Sequence, residues 1–158
     1  MQYSYFLIAI LFLVACGNPK PRFSSKEQAK IDKQLIQNYI QSNQLSLDST
    51  QSGIYYQLKH PGYGDPPSDK SYVTVDYEVT LLDGTIVDSS YERGEAFAFK
   101  LDGVIKGWQE AIQLMGVSGK GTFIIPSGLA YGRRAIGGKI PPNSVLIFKI
   151  ELLEAHDE

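Results

Sequence analysis

The chain is poor in the side chains that usually carry metal or nucleophilic chemistry. Among 158 residues there is one cysteine, Cys16, and there are two histidines, His60 and His156. A single thiol excludes an internal disulfide and a zinc site of the thiolate type. One histidine precedes a Pro-Gly turn and the other lies in a polar C-terminal tail, so neither is placed to activate a serine or cysteine nucleophile. We therefore expect no metal, no cofactor and no hydrolase activity.

An excess of charge of one sign is also lacking. Fifteen basic and seventeen acidic residues give a formal net charge of -2, and no Lys/Arg cluster is long enough to follow a nucleic-acid backbone. Nucleic acid is therefore not expected as a partner. The length suits one domain, and most of the fifteen glycines and eight prolines follow residue 52, which predicts a turn-rich, sheet-rich domain there.

Long hydrophobic runs are missing except at the N-terminus. The apolar run from Tyr5 to Ala15 has eleven residues, which is too short to cross a bilayer but suits a signal peptide. It ends in Leu13-Val14-Ala15-Cys16, which resembles a bacterial lipobox, so residues 1–15 are predicted to be a lipoprotein signal peptide. Lipidated Cys16 would then anchor the chain to a membrane of the bacterial cell envelope, at the outer membrane or the periplasmic face. The alternatives are an uncleaved hydrophobic N-terminus and an ordinary secretory signal. One feature departs from the lipoprotein pattern: residues 1–4 lack the Lys or Arg expected at the start of a signal peptide.

A tether and one helix are predicted to follow. Residues 16–24 are rich in turn formers, and Ser24 three residues before Glu27 is typical of a capping box. Within the segment 25–52, interpreted as a helix and connector, apolar residues form one helical stripe: Ile31, Leu35, Ile36, Tyr39 and Ile40. We expect this stripe to pack on the following domain in a monomer. The alternative is a dimer through residues 25–43 that presents a chaperone cradle to client proteins.

The remaining residues, 53–158, predict a strand-rich domain. In the segment 72–82, an apolar residue alternates with a mostly polar one, as in a half-buried strand, and Asp83-Gly84 then turns the chain. The alternating residues are Val73, Val75, Tyr77, Val79 and Leu81. Further strands are expected at 54–58, 85–88, 97–101, 122–125 and 145–153, with one helix near 107–114. The predicted class is α+β, an antiparallel sheet with one central helix.

Eight short blocks in this half, in order and with family-like spacing, resemble the FKBP family of peptidyl-prolyl cis-trans isomerases over about residues 53 to 154. The blocks are Val75-Asp76-Tyr77, Asp83-Gly84, Val87-Asp88-Ser89-Ser90, Phe97-Ala98-Phe99, Val104-Ile105-Lys106-Gly107-Trp108, Ala130-Tyr131-Gly132, Ile140-Pro141-Pro142-Asn143 and Leu146-Ile147-Phe148.

The resemblance implies a five-stranded antiparallel sheet wrapped around a short helix, and isomerase activity (EC 5.2.1.8) on X-Pro bonds of envelope or secreted proteins, assisting their folding. Trp108 would form the floor of a proline pocket, and Asp88 would be a buried carboxylate that accepts a hydrogen bond from Tyr77. The Ile105 amide and the Tyr131 hydroxyl would bind carbonyl groups of the peptide. The implied catalytic residues are Tyr77, Asp88, Trp108 and Tyr131, and the implied substrate-binding residues are Val87, Phe97, Val104, Ile105, Ile140 and Phe148.

Two features depart from the family pattern. Val87 stands where the best-studied members carry phenylalanine, so one pocket wall is expected to be shallower and less aromatic. The loop over the pocket contains Arg133, Arg134 and Lys139, which favours acidic or extended substrates. These departures leave open a second interpretation, a module that binds proline-containing peptides without useful catalysis.

Overall fold

A computed structural model describes residues 23–157, so the predicted signal peptide and Cys16 lie outside the described residues. The first element, helix α1, spans Ser25–Ser42 and begins at the predicted capping box. The Ser24 amide donates to Glu27 Oε2 (2.8 Å) and the Glu27 amide donates to Ser24 Oγ (3.2 Å). Two otherwise unpaired amides of the helix start are thus satisfied, which explains why the helix begins at this point.

One antiparallel sheet follows, in the order β1-β2-β6-β7-β3-β4, with β5 also paired to β3. Its strands are β1 Asp48–Ser49, β2 Tyr55–His60, β3 Tyr72–Leu81, β4 Ile86–Ser89, β5 Phe97–Lys100, β6 Lys120–Ile125 and β7 Leu146–His156. The helices after α1 are α2 Ser90–Arg93 and α3 Lys106–Ile112, and single 3₁₀ turns span Leu101–Gly103 and Ser127–Leu129. The α+β class and the antiparallel sheet are confirmed. The described sheet has seven strands rather than the five that the resemblance implies: the six segments predicted from the sequence and the two-residue β1.

Strand β3 is the centre of the architecture. Val73, Val75, Tyr77 and Val79 are all buried on one face, as the alternation predicts, while Leu81 at the end of the strand is half-buried. On one side β3 pairs along its whole length with β7, while on the other side it pairs with β5 through Val75 and with β4 from Glu78. A gap in the ladder is therefore left at residues 76 and 77. Ser90 fills it, since its hydroxyl accepts from the Tyr77 amide (2.9 Å) and donates to Asp76 Oδ1 (2.7 Å).

Two apolar clusters lie on opposite faces of β6 and β7. The larger one joins the sheet to α3, while the smaller one contains Ile36 of α1, Ile124 of β6, and Val145 and Ile147. Packing of the α1 stripe onto the domain is thus confirmed. The stripe is narrower than predicted, because Ile36 is 1% exposed whereas Leu35, beside it, is 42% exposed.

A carboxylate that the sequence did not single out joins α1 to the rest of the domain. Asp32 is buried, and its Oδ2 accepts from the amide (2.9 Å) and the hydroxyl (2.7 Å) of Ser127, while Oδ1 accepts from the Gln28 side chain (2.8 Å). Nearby, Arg133 donates to the carbonyl of Phe23 (2.6 Å). The start of α1 is therefore held against the segment that follows β6. Within residues 23–157, no helix combines the length and the apolar character needed to span a bilayer.

Candidate active site

A cleft of about 680 Å³ opens between the sheet, α3 and the loop 131–142. The structure brings all ten sequence-predicted catalytic and binding residues to it: Tyr77, Val87, Asp88, Phe97, Val104, Ile105, Trp108, Tyr131, Ile140 and Phe148. Arg93, Ile136 and Lys139 also line it. The walls are mostly aromatic or aliphatic, with a few polar groups, as in sites that bind small apolar groups.

Trp108, on the first turn of α3, forms the floor. It is 5% exposed, and its ring meets Tyr77 and Phe148 nearly edge-on, at centroid distances of 5.0 and 5.5 Å. Gly107 lets α3 approach β6, because a Cβ at that position would lie 2.4 Å from Ile125 Cγ2. The indole N–H is buried and has no hydrogen-bond partner among the described residues. The packed indole ring therefore offers a flat aromatic surface, which suits contact with an apolar ring.

One wall carries a polar network centred on Asp88. The Tyr77 hydroxyl donates to Asp88 Oδ2, as predicted, and Arg93 Nη1 donates to Asp88 Oδ1. The Ser89 amide also donates to Asp88 Oδ1 (2.9 Å), and Arg93 Nη2 lies 3.0 Å from the Tyr77 oxygen, to which it donates. Burial, followed by the hydrogen bond to Asp88, raises the pKa of Tyr77 above its ordinary value. Tyr77 is therefore a neutral donor at physiological pH.

The expectation of a buried carboxylate at Asp88 was wrong. The Asp88 side chain is 48% exposed, because it points away from the core on β4 while its neighbours Val87 and Ser89 point inward. Asp88 is satisfied by hydrogen bonds at the cleft rim and by its ion pair with Arg93 rather than by burial.

Sequence reasoning missed Arg93. This residue ends α2, a single helical turn whose start is capped by the Ser89 hydroxyl and whose end is followed by Gly94 at φ 69°. Ser89 followed three residues later by Glu92 is an N-cap signal that could have located the turn. Nothing local indicates that the arginine reaches Tyr77, sixteen positions earlier in the chain.

The loop over the cleft begins at Tyr131, two residues after the end of the 3₁₀ turn at 127–129. The Gly132 amide donates to the carbonyl of Ser127 (2.8 Å), and the Asn143 amide donates to the carbonyl of Gly132 (2.6 Å), so the two ends of the loop are held together. Burial, and secondarily the negative charge of Asp88, raise the pKa of Tyr131. Its hydroxyl makes no hydrogen bond to another residue in the described part of the chain, which leaves it free for a ligand carbonyl.

The cleft combines apolar surfaces with a few hydrogen-bonding groups. No group of three or more His, Cys, Asp or Glu side chains that could hold a metal ion occurs between residues 23 and 157. The cleft instead combines an aromatic floor, two tyrosine hydroxyls and one carboxylate paired with an arginine. Such a site can enclose an apolar ring and orient an adjacent amide through hydrogen bonds.

Comparison with known proteins agrees with this geometry. Residues 64–153 match the model of the FKBP-type peptidyl-prolyl cis-trans isomerase family. The FKBP-type isomerase FkpA of Escherichia coli is 39% identical over 141 residues, which cover 84% of this chain and 52% of that protein. Its crystal structure has a TM-score of 0.74 at 37% identity, covering 84% of this chain and 62% of that chain.

Two further proteins show how far the likeness extends. The crystal structure of a peptidyl-prolyl cis-trans isomerase from Pseudomonas syringae has a TM-score of 0.72 at 30% identity, covering 87% of this chain and 99% of that chain. The outer membrane protein MIP of Legionella longbeachae is 44% identical over 102 residues, 65% of this chain and 44% of that protein. The chain spans about half the length of the curated relatives that it matches. With more than half of its residues matched to the family and the cleft residues gathered around Trp108, the chain belongs to the FKBP-type peptidyl-prolyl cis-trans isomerases.

Proposed function

We propose that this chain is a peptidyl-prolyl cis-trans isomerase that acts on X-Pro bonds of envelope or secreted proteins and assists their folding. The observation that carries the proposal is the cleft itself, whose aromatic floor at Trp108 lies beside the polar wall of Tyr77, Asp88 and Arg93. The floor accepts the proline ring, and the polar wall lies within the same cleft as the amide to be rotated.

The chemistry requires no bond to be broken. Rotation about an X-Pro amide crosses a barrier of roughly 18–20 kcal/mol that arises from resonance. In the twisted amide the carbonyl oxygen is less negative and the nitrogen more pyramidal, so this state is less dipolar than either planar isomer. A cleft with apolar walls therefore disfavours the planar amide relative to the twisted one, which is the condition for catalysis.

Hydrogen bonds position the peptide in this proposal. Tyr131, whose raised pKa keeps its hydroxyl protonated, donates to one peptide carbonyl, and the Ile105 amide donates to another. The carbonyl of Ile105 accepts from the amides of Trp108 and Gln109 (3.0 and 3.2 Å), so the first turn of α3 fixes the orientation of this residue. Asp88 holds the Tyr77 hydroxyl in place, and its charge is also proposed to act on the twisting carbonyl.

The test is a protease-coupled isomerase assay on a Leu-Pro or Phe-Pro peptide with the full-length chain in a non-ionic detergent. We expect acceleration of an isomerisation that otherwise takes tens to hundreds of seconds. The double variant Trp108→Ala, Asp88→Val should lose it, whereas Tyr63→Ala, which removes an exposed aromatic ring outside the cleft, should retain it. Wild-type-like turnover in the double variant would exclude this site as the catalytic centre.

A second candidate function is binding of proline-containing peptides without catalysis. It is favoured by Val87, which is 5% exposed and lines the cleft with an aliphatic rather than an aromatic side chain. Saturable binding of a Leu-Pro peptide, measured by Trp108 fluorescence without any acceleration in the assay, would identify the binding module. Acceleration would exclude it.

The location we propose is the bacterial cell envelope, with Cys16 lipidated and residues 16–24 acting as a tether. The name of the Legionella relative, an outer membrane protein, supports this location, and the Cys16 sequence context supports the anchor. Mass spectrometry of the mature chain should find a diacylglyceryl group on Cys16. The Cys16→Ser variant should no longer be found in the membrane fraction. A free thiol at Cys16 in the mature chain would overturn the anchor.

We also propose that the chain is a monomer, since the buried part of the α1 stripe is already used within the domain. Ile36, Tyr39 and Ile40 contact the cluster on β6 and β7, which leaves Leu35 as an exposed apolar residue of that stripe. Sedimentation of the full-length chain should give a single monomeric species. A dimer that dissociates on Leu35→Glu substitution would support the chaperone-cradle alternative instead.

A further inference from the structure

Lys139 is the one cleft-lining charge in the described chain that has no partner. Three ionised side chains line the cleft, Asp88, Arg93 and Lys139. Asp88 and Arg93 form an ion pair, so their charges largely cancel. Lys139 makes no ion pair or side-chain hydrogen bond to any residue from 23 to 157. The cleft therefore carries one uncompensated positive charge, although the chain as a whole is net negative.

The backbone around Lys139 is fixed by a closed turn. The amide of Ile136 donates to the carbonyl of Ile140, the amide of Ile140 donates back to the carbonyl of Ile136, and both distances are 3.0 Å. Gly137 and Gly138 adopt φ values of 56° and 69°, a conformation that glycine tolerates better than other residues. Ile140 is 7% exposed and anchors the turn in the core. The ammonium group of Lys139 consequently extends from a fixed point on the cleft rim.

The basic loop residues are not equivalent in the structure. Arg133 is already engaged with the carbonyl of Phe23, and neither Arg133 nor Arg134 lines the cleft. Of the three basic residues in this loop, only Lys139 is placed to meet a peptide that lies in the cleft.

We propose that Lys139 makes the cleft prefer X-Pro bonds in which an acidic residue is directly adjacent to the proline. This inference rests on the proposed isomerase function and names the substrate class of the same site. Since Lys139 is exposed, its pairing with a substrate carboxylate has the strength of a surface ion pair. That strength corresponds to a preference of about two- to fivefold in kcat/KM.

The experiment measures isomerisation of matched peptides by NMR exchange spectroscopy with the full-length chain. Glu, Gln or Lys is placed before the proline in one set and after it in a second set. We expect kcat/KM for the Glu peptide to exceed that for the Gln peptide by about two- to fivefold in at least one set. The ratio should approach one near 1 M salt, where the Debye length is about 3 Å.

Substitutions of Lys139 test whether this residue causes the preference for the Glu peptide. Lys139→Gln should bring the Glu/Gln ratio to one and Lys139→Arg should preserve it. Lys70→Gln, which removes an equal charge outside the cleft, should leave it unchanged. A ratio near one in both sets for the wild-type chain, or a ratio that persists in Lys139→Gln, overturns the proposal.

The outcome is separable from that of the proposed function. If no peptide is accelerated, isomerase activity fails, and the preference is then judged by the ratio of dissociation constants of the same peptides, measured by Trp108 fluorescence. A dissociation constant two- to fivefold lower for the Glu peptide than for the Gln peptide, lost in Lys139→Gln, supports the role of Lys139. Equal dissociation constants contradict it.

Discussion

At the scale of single residues, the cleft depends on side chains that satisfy one another at its rim. Tyr77 donates to Asp88 and accepts from Arg93, so neither the hydroxyl nor the carboxylate depends on water for a partner. Because Asp88 and Arg93 are each nearly half exposed, at 48% and 42%, their pairing contributes little to folding stability. We propose that the ion pair instead fixes the positions of the Tyr77 and Asp88 side chains in the cleft.

Replacement of Arg93 tests this view. We expect Arg93→Gln to lower kcat/KM on a Leu-Pro peptide by about three- to tenfold, which corresponds to the loss of roughly one hydrogen bond. The free energy of unfolding should change by less than about 1 kcal/mol. The isomerase assay and urea unfolding measure the two quantities, with Lys59→Gln, on the exposed outer part of β2, as the charge-matched control. An unchanged kcat/KM would show that Arg93 does not position the catalytic wall.

The raised pKa of Tyr131 makes one contribution to the pH dependence of stability. Burial and the charge of Asp88 hold its folded-state pKa above the ordinary value of 10.0. The folded state therefore retains the proton longer than the unfolded state, and this contribution to stability is fully present below about pH 10 and lost as the pH rises through the folded pKa. Urea unfolding should give a free-energy difference between wild type and Tyr131→Phe that is constant from about pH 6 to 9 and shifts against wild type above about pH 10. A difference that is constant over the whole range would contradict the assignment.

At the scale of elements, α1 is joined to the domain through a buried polar contact as well as an apolar one. Asp32 offers three acceptor contacts to Ser127 and Gln28, and Ile36 fills the cluster beneath the same helix. A buried carboxylate with its acceptors occupied is tolerated, but its removal leaves the donors without partners.

We expect Asp32→Ala to lower the free energy of unfolding by about 1–3 kcal/mol, because the Ser127 amide and hydroxyl become buried and unpaired. Urea unfolding followed by circular dichroism measures the change. Asp48→Ala, which removes an exposed carboxylate in β1, should change the free energy of unfolding by less than about 0.5 kcal/mol. Equal effects of the two substitutions would mean that Asp32 does not hold α1.

Local patterns predicted the elements well, whereas contacts across the fold escaped prediction. The start of α1 and the face of β3 follow from spacings of two to four residues. Asp32 lies four positions before Ile36, on the packed face of α1, but its partner Ser127 is 95 residues away, so the local sequence gives no sign that this carboxylate is buried. The family resemblance supplied the cleft residues, yet Arg93 and the exposure of Asp88 depend on how β4 and α2 meet β3.

At the scale of the whole molecule, the sheet separates two clusters that should nevertheless unfold together. Strands β6 and β7 place Phe123, Leu146 and Phe148 in the larger cluster and Ile124 and Ile147 in the smaller one. Since the same strands contribute to both, loss of one cluster removes support from the other. The single tryptophan, Trp108, reports on the larger cluster, and the helical circular-dichroism signal is dominated by α1, the longest helix described.

Ile36→Ala is expected to lower the free energy of unfolding by about 2–4 kcal/mol, because it leaves a cavity in place of a side chain that is only 1% exposed. Urea transitions followed by Trp108 fluorescence and by circular dichroism should shift together. Leu35→Ala, at a position that is 42% exposed, should change stability by less than about 0.5 kcal/mol. Loss of helical signal ahead of the fluorescence change would contradict a single cooperative unit.

The contact of Arg133 with Phe23 has a mechanical consequence. Phe23 lies directly before Ser24, the N-cap of α1, so tension applied at Phe23 enters the domain at this contact and at the nearby Asp32–Ser127 bonds. Arg133 lies two positions after Tyr131 in the chain, and Ser127 lies four positions before it. A pull at Phe23 therefore reaches the segments on either side of Tyr131, at the rim of the cleft, before it reaches the central strands. In a single-molecule pulling experiment, the cleft would be the first part of the domain to register the force.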